Sequence, residues 1–423
     1  MDSIISKISL ALKDSVLRKR LLFVALALVV FRLLATIPIP GIDVARLEQF
    51  FSNNQFLGLL NIFSGGGLSN LSIVMLGVGP YITGSIIMQL LTMIFPKLKA
   101  LYHEEGEAGR ARFSQYSRLL TVPLALVQAI AFLVLLERQG VVPDLSTFET
   151  ITNVIIITGG SVLLMWLGEL ITEFGIGNGL SLIIFAGIVA GIPSALSQLL
   201  FTFEPNNIPM YLAFIAVAVA IIWGVVVVTE AERPIPVTYA KRVRGNKVFG
   251  GVSTYLPLRV NQAGVIPIIF ALSILLFPQM IVSFLSGVDN AVIHTISSAL
   301  LAIFSNGWFY SIFYFILVFL FTYFYTAVTF DPDTIATNLQ KNGAFIPGVR
   351  PGTPTSEYIG TVLTRITLVG AVFLALVAVL PLAMRAITGN ASLAIGGTAL
   401  LIVVSVVLDF IKKIDAQVSM REY

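Results

Sequence analysis

Long apolar stretches, separated by short polar, glycine-rich or proline-rich breaks, are the main pattern of this sequence. A membrane-spanning helix needs roughly 20 mainly apolar residues, and ten stretches approach that length. Runs such as Ile73 to Phe95 are apolar on every face, whereas barrel strands would alternate in polarity. We therefore predict an all-α polytopic membrane protein with ten transmembrane helices, near residues 21–39, 73–95, 119–136, 151–170, 180–200, 209–229, 263–286, 308–329, 366–388 and 393–411.

The composition excludes a soluble domain. Of the 423 residues, 57% are hydrophobic and only 11% are charged, whereas soluble domains carry roughly 25% charged residues.

The charges also predict the orientation, because Lys and Arg in short loops stay on the cytoplasmic side of a membrane. Of the 26 Lys and Arg residues, 22 fall in five alternate segments, namely the N-terminus to Arg20, the loops near 97–118, 230–260 and 330–365, and the C-terminal tail. Both termini are therefore expected in the cytoplasm, which requires an even number of spans.

Two short segments are not spans. Residues 4–16 have apolar side chains at helical spacing with Lys7 and Lys13 between them, which predicts an amphipathic helix that anchors the chain to the cytoplasmic surface. The run from Phe56 to Phe63, followed by three glycines, is too short to cross the bilayer. Irregular backbone at membrane depth must be satisfied by protein or by a water-filled cavity, so this segment predicts a cavity on the outer side.

The chain is expected to fold as two halves. A break near 201–208 leaves five spans on each side, and an odd number places the halves in opposite orientation. Inverted repeats usually hold the functional site at their interface. We predict an N-terminal half, 1–204, and a C-terminal half, 205–423, which carries the two ordered cytoplasmic loops, about 230–262 and 330–365.

The sequence predicts no enzyme, metal site or cofactor. Without cysteine it can form neither a disulfide nor a thiolate metal site. A phosphate-binding loop is absent, since Gly245–Lys247 lacks the spacing, and His103–Glu107 has Glu where a zinc-protease motif needs its second His. Ionisable residues in the spans, namely Arg32, Glu169 and Asp409, are nearer to span ends than to midplanes, which argues against a proton-coupled pump.

Five segments resemble signatures of the SecY/Sec61-alpha family of protein-conducting channels. They follow one another in order through the ten spans, which makes the resemblance far more specific than one glycine-rich motif. Leu170 departs from the Gln common in the family, and Gly79 replaces a bulkier residue, which bears on helix packing. The segments are Ser72–Leu91, Leu167–Gly187, Tyr255–Ala271, Asn338–Gly352 and Gly396–Val404.

The resemblance implies an hourglass pore between the halves, closed at mid-membrane by a ring of aliphatic side chains. We call this set the aliphatic ring: Ile82, Ile86, Ile184, Ile188, Ile269 and Ile402. Ile82 and Ile86 are four residues apart and share one helix face, as do Ile184 and Ile188. Taken without the family, ordinary helix packing is the better explanation for any one of them, because Ile is common in spans.

The resemblance also implies two moving parts. A re-entrant plug helix, about 58–71, would block the outer funnel at rest, with Leu60, Asn61, Ile62, Phe63, Gly65, Gly66, Gly67 and Leu68. Its glycines suit a movable element. A lateral gate between spans two and seven, with three and eight, would carry Gln89 and Ser273 and open by a hinge between the halves.

The partners are implied by the same resemblance. The basic loop residues Lys241, Arg242, Arg244, Lys247 and Arg350 resemble the sites that contact the ribosome and the SecA ATPase. Arginine contacts to RNA phosphates give affinity without sequence reading, although the charge alone fits a topology signal as well. The implied partners are SecE, SecG, SecA, the ribosome, signal peptides and nascent chains, with SecDF, YidC and anionic lipids as further candidates, in the bacterial cytoplasmic membrane.

Two other functions fit parts of the pattern. An inverted-repeat secondary transporter of a small solute should show ionisable or broken-helix ligands near the midplane. An intramembrane hydrolase needs a nucleophile with its base, or a metal. The sequence offers neither set, so the channel that translocates unfolded secretory polypeptides and releases transmembrane segments into lipid, driven by an external motor or ribosome, is favoured.

Overall fold

The structure is a computed structural model of the chain, and statements about it concern the residues that it describes. These are residues 14–40, 64, 66–68, 70–103, 105–138, 142–143, 145–201, 208–239, 242–244, 247–249, 253–285, 295, 297, 300, 303, 306–388 and 396–419. All but the last three residues of the predicted amphipathic helix, 4–16, lie outside them.

Each of the ten predicted spans falls on a helix, and two further helices lie between them. Within the described ranges there are twelve helices: α1 (Ser15–Leu34), α2 (Gly79–Ile94), α3 (Pro96–His103), α4 (Gly106–Arg138), α5 (Thr147–Phe174), α6 (Gly179–Phe201), α7 (Ile208–Glu230), α8 (Ile266–Leu285), α9 (Gly307–Thr329), α10 (Pro332–Lys341), α11 (Thr353–Thr388) and α12 (Gly396–Ser419).

The predicted helical membrane fold is confirmed, while the count of ten spans stays a prediction. Within the described residues, α4, α5, α7, α9 and α11 each contain a stretch long and apolar enough to cross a membrane. A sixth span results if α2 and α3 are counted as one span, although the chain bends by 115° between them. Phe95 has the extended backbone that a following proline favours, and Pro96 thus explains the bend.

Local sequence explains where several helices begin. Ser146 and Glu149 form a reciprocal capping box at the start of α5, which satisfies two backbone N–H groups that lack partners inside the helix. The side chain of Asn306 accepts hydrogen bonds from the first turn of α9, and Asp331 caps α10 in the same way. These residues place polar atoms at helix ends, where unpaired backbone N–H groups need them.

The prediction that the second span begins at residue 73 is wrong. Helix α2 begins at Gly79, and residues 70–78, which we call the buried turn, are not helical. Leu71 and Gly77 have positive φ angles of 41° and 59°, which a right-handed helix excludes. Pro80 occupies the first turn of α2, where its missing N–H costs nothing. The segment is apolar enough for a helix, but its backbone turns instead.

Two helices extend well beyond the spans that they were predicted to form. Helix α4 begins at residue 106 rather than near 119, and α11 begins at residue 353 rather than near 366. At 1.5 Å per residue each helix extends roughly 20 Å beyond its apolar stretch. The spans therefore continue as polar helices outside the predicted membrane segment, on the side that carries the basic loops.

The two basic loops form a small β structure that the sequence analysis did not predict. A sheet of three antiparallel strands has the order β4 (Ser253–Arg259), β1 (Glu232–Tyr239) and β5 (Ala344–Phe345). A second hairpin pairs β2 (Arg242–Arg244) with β3 (Lys247–Phe249). Since β1 and β4 belong to one loop and β5 to the other, the sheet ties the two loops together. Its own apolar cluster consists of Ile235, Val237, Leu258, Ala344, Ile346 and Ile359.

The spans pack around one apolar core to which both predicted halves contribute. Helix α2 packs against α4, α5 and α8, and α12 packs against α6 and α7. The pairs α2 with α8 and α6 with α12 cross the boundary between the predicted halves, 1–204 and 205–423. The division into halves itself stays a prediction.

We predict that Leu258→Ala loosens the three-stranded sheet. Leu258 is completely buried in the cluster beneath the sheet, and Leu→Ala changes in cores cost about 2–5 kcal/mol. Limited proteolysis by trypsin in membrane vesicles should cleave the two loops at least about 30-fold faster than in the unchanged chain. Tyr255→Ala is the matched control, because this side chain lies on the same strand and is 67% exposed. Equal cleavage of the two variants would contradict the prediction.

Candidate functional site

The residues predicted to form the aliphatic ring come from four helices. Ile82 and Ile86 lie on α2 and Ile184 and Ile188 on α6, while Ile269 lies on α8 and Ile402 on α12. Ile86, Ile184 and Ile402 are at most 2% exposed, and Ile188 is partly buried. All six belong to, or pack against, the same apolar cluster. The structure thus places all six in the core to which both predicted halves contribute, and their arrangement as a ring stays a prediction.

Such a constriction has a definite chemistry. Isoleucine side chains offer neither hydrogen bonds nor charge, so the ring can bind no solute by specific polar contacts. A narrow apolar constriction excludes water and ions by dewetting. The same side chains would let an extended polypeptide pass without reading its sequence. An arrangement of this kind can seal and can conduct a chain, but it offers no group for catalysis.

The buried turn lies inside this core although its backbone is irregular. Ser72, Val74, Met75 and Val78 have no exposed surface, and Leu71 is equally buried. In a membrane such backbone is tolerated only where protein or water satisfies its polar groups. The turn must therefore receive hydrogen bonds from neighbouring elements.

The chain segment that follows α1 supplies part of these bonds. The N–H of Ile39 donates to the carbonyl of Leu71 at 2.9 Å, and the N–H of Ile73 donates to the carbonyl of Ile37 at 2.9 Å. The amide of Asn70 also donates to the carbonyl of Ala35. Residues 37–39 and 71–73 thus form a short antiparallel ladder that pairs the backbone at its most irregular point.

Helix α5 supports the other side of the turn. The Ser161 hydroxyl donates to the carbonyl of Gly77 at 2.9 Å, and Ser161 is completely buried. Gly160 lies directly against the peptide of Ile73, and a Cβ at this position would overlap the Ile73 carbonyl oxygen. The Asn153 amide reaches the carbonyl of Pro40. Sequence analysis missed these contacts, and the Gly-Gly-Ser at 159–161 inside an apolar span was its one available signal.

The structure describes three of the eight predicted plug residues. Gly66, Gly67 and Leu68 directly precede the buried turn, and the N–H of Leu68 donates to the Ser64 hydroxyl at 3.0 Å. Gly66 has a φ of 82° and lies close to the guanidinium of Arg32. Leu60, Asn61, Ile62, Phe63 and Gly65 lie outside the described residues.

The predicted lateral-gate residues lie on helices that pack together. Gln89 is on α2 and Ser273 is on α8. The Ser273 hydroxyl donates to the carbonyl of Ile269 in its own helix at 2.9 Å. Among the described residues, Oε1 of Gln89 is buried without a hydrogen-bond partner. The structure therefore brings the two helices together without a hydrogen bond from Ser273 to Gln89.

An ion pair that sequence analysis did not single out joins α4 and α5, and Tyr81 of α2 lies close to it. Nε of Arg118 on α4 lies 2.6 Å from Oε1 of Glu169 on α5. Tyr81 on α2, which precedes Ile82, lies close to Glu169 and Ser114. In the sequence Glu169 stands out only as an ionisable residue near a span end. Its pairing with Arg118 joins residues far apart in the chain, so the sequence does not show it.

The basic loop residues are arranged around the small sheets. Arg242 and Arg244 lie on β2 and Lys247 on β3, while Lys241 lies outside the described residues. Arg350 is exposed, and its carbonyl accepts a hydrogen bond from the Thr355 hydroxyl at 2.8 Å. Because Tyr239 pairs with Ala344, the base of the β2–β3 hairpin lies next to the loop that carries Arg350.

Comparison with solved structures identifies the fold. A protein conducting channel aligns with a TM-score of 0.65 at 20% identity, over 96% of this chain and 93% of its own. Sec61 in the canine ribosome-channel complex from the endoplasmic reticulum aligns with a TM-score of 0.63 at 18% identity, over the same shares. At such low identity these alignments establish the architecture alone.

Comparison of sequences identifies the family. The protein translocase subunit SecY of Streptomyces scabiei is 41% identical over 440 residues, covering 98% of this chain and 97% of that protein. A family model described as SecY matches residues 72–411, which include all but the first two residues of the buried turn and every residue of the predicted aliphatic ring. The chain therefore belongs to the SecY family.

Proposed function

We propose that this chain conducts unfolded secretory polypeptides through the aliphatic ring and releases apolar segments sideways into lipid. Its family membership makes it a protein translocation channel rather than an enzyme. The observation that supports the proposed route is the shared apolar core, to which the six isoleucines contribute from four helices and which also contains the irregular buried turn. The transporter alternative receives no support from the family.

We place the channel in the bacterial cytoplasmic membrane with both termini in the cytoplasm. The positive charges of the alternate segments support this orientation. The β sheet that joins the two basic loops, together with the polar extensions of α4 and α11, would then project into the cytoplasm. This is the side from which a motor or a ribosome would deliver a polypeptide.

The proposed resting state is sealed twice. The aliphatic ring closes the middle of the pore by dewetting. Residues 58–71 form the plug on the outer side, and the buried turn fixes the end of the plug that leads into α2. Since α2 carries Ile82 and Ile86, the plug and a third of the ring are connected through a few residues of backbone.

The lateral gate is proposed to lie between α2 and α8, flanked by α4 and α9. These helices belong to different halves, 1–204 and 205–423, and a hinge between the halves would separate them. Their packing is largely apolar, and Gln89 keeps a buried oxygen without a partner among the described residues. An apolar signal sequence could replace such contacts at little cost in free energy.

The proposed partners lie at the cytoplasmic loops and around the spans. The canine Sec61 channel is part of a ribosome complex, and we extend a ribosome or SecA contact to Arg242, Arg244, Lys247, Arg350 and Lys241. Because this chain has no predicted nucleotide site, the free energy for transport must come from such a partner. SecE and SecG are the expected small membrane subunits.

Translocation into liposomes tests the proposed function. The liposomes would contain this chain with its SecE and SecG, and SecA, ATP and a secretory precursor would be added. Precursor protected from protease only when ATP is present is the expected result. An assembled complex that protects no precursor under these conditions would contradict the channel function.

We predict that Ile86→Asn or Ile402→Asn makes the resting channel leak ions. An unpaired amide in an apolar site costs about 1–3 kcal/mol, and this cost favours a hydrated ring over a dry one by at least about fivefold. Planar-bilayer conductance should rise, and precursors with weak signal sequences should be accepted more readily. Ile86→Leu keeps the site apolar and should stay sealed. Unchanged conductance in both Asn variants would argue against the ring as the seal.

We predict that reversing Arg242 and Arg350 to Glu impairs coupling to SecA or to the ribosome. Reversal replaces attraction by repulsion, so association should weaken by about tenfold at low salt and by less at high salt. Binding of SecA to liposomes with the double variant provides the measurement. Arg350→Lys is the control, since it keeps the charge. Normal SecA binding, ribosome binding and translocation by the double variant would exclude these residues as contacts.

A further inference from the structure

Helix α5 contains two adjacent residues that contact the buried turn. The Ser161 hydroxyl reaches the carbonyl of Gly77, while Gly160 allows the peptide of Ile73 to lie directly on the helix. Neither residue belongs to the aliphatic ring, the plug or the lateral gate. Their position nevertheless connects them to all three, because the buried turn joins the plug to α2.

The hydrogen bond from Ser161 is important because of where the acceptor lies. Gly77 has a positive φ of 59° and precedes the first residue of α2 by two positions. The carbonyl of the cap residue Val78 already accepts a helix bond from the N–H of Ile82, whereas Gly77 lies one residue further outside the helix. Ser161 is completely buried, so water cannot replace its hydroxyl without entering the core. The bond satisfies a backbone group that the membrane leaves no other means to satisfy.

Gly160 acts through the absence of a side chain. A Cβ on this residue would lie within 3.0 Å of both the carbonyl oxygen and the carbonyl carbon of Ile73, a separation that real side chains do not adopt. These are backbone atoms, so a rotamer change of a side chain cannot relieve the overlap. Any larger residue at position 160 must push the buried turn away from α5.

Displacement of the turn would be transmitted in two directions. Towards the N-terminus two backbone hydrogen bonds connect the turn to the plug end, because the N–H of Leu71 donates to the carbonyl of Leu68 at 3.0 Å and the N–H of Ser72 donates to the carbonyl of Gly67 at 2.9 Å. Towards the C-terminus α2 begins at Gly79, and its fourth residue is Ile82. The turn, the plug end and the first ring position therefore move together.

We propose that Gly160 and Ser161 are positioning residues that set how readily the channel leaves its sealed state. They hold the buried turn against α5, which keeps the plug end and α2 in the resting arrangement. A signal sequence must overcome this hold before the ring widens. This inference rests on the proposed function, since it assigns the residues to the opening of that channel.

Gly160→Ala should loosen the seal, and the chain contains a matched control. The neighbouring Gly159 has no atom within 4 Å of an added Cβ, so Gly159→Ala gives the same gain in helix propensity without the overlap. Ser161→Ala removes the hydrogen bond without adding bulk. Ser161→Cys keeps the shape with a weaker donor and should fall between Ser161→Ala and the unchanged chain.

The test compares two precursors, one with an intact and one with a defective signal sequence, in liposomes that contain each variant complex. Loss of one net hydrogen bond should raise translocation of the defective precursor about fivefold in Ser161→Ala, and by more in Gly160→Ala. Resting conductance should rise in the same order, while Gly159→Ala should match the unchanged chain. A misfolded protein would lose transport, so these gains report on gating rather than on folding.

Two outcomes would overturn the proposal. One is that Gly160→Ala and Ser161→Ala match Gly159→Ala in both measurements; the other is that they lower transport of the defective precursor. If Gly160→Ala yields no assembled complex, Ser161→Ala alone decides between these outcomes. Failure of the unchanged chain to translocate the intact precursor would instead contradict the proposed channel function.

Discussion

Inside a bilayer every backbone N–H and C=O group must find its partner within the protein, and this demand shapes the centre of the structure. Residues 70–78 are apolar in side chain but irregular in backbone, and they lie buried among α1, α2 and α5. Backbone groups of this turn are hydrogen-bonded to the segment after α1 on one side and to Ser161 on the other. The proposed plug end and the helix that carries Ile82 and Ile86 adjoin this anchored turn.

The proposed channel balances sealing against opening through the same kind of contact. Apolar packing between α2 and α8 and around the aliphatic ring is non-directional, so it excludes ions at rest and can still be replaced by another apolar surface. The buried turn adds directional hydrogen bonds, from Ile39 and Ser161 and to Ile37, which would favour one resting arrangement. A signal sequence would thus replace apolar contacts between α2 and α8. The hydrogen bonds of the buried turn would oppose this opening.

The sequence predicted the helical segments well because a spanning helix must be both long and apolar. It failed at residues 73–78, since hydropathy measures the free energy of transfer and not the backbone angles of Leu71 and Gly77. Pro80 in the first turn of α2 was the available signal for the correct start. The short strands were missed because proline and charged residues interrupt the alternation of β1, in which only Ile235 and Val237 are buried.

The candidate site could be predicted only as far as the family motifs reach. Periodicity alone did not separate Ile86 or Ile402 from other buried isoleucines, so their assignment to a ring depended on the resemblance. The contacts of Gly160, and the ion pair of Arg118 with Glu169, arise where distant parts of the chain meet. A single sequence does not contain those distances, whereas the packed helices show them directly.

The central claim is that a polypeptide crosses through the aliphatic ring, and crosslinking of a stalled precursor tests it most directly. A photo-crosslinking residue would replace Ile86, Ile402 or, as a control, Trp223, which is 70% exposed on the outer surface of α7. With a precursor halted by a folded domain at its end, the account predicts crosslinks at positions 86 and 402 and none at position 223. Crosslinks at position 223 without any at the ring would contradict it.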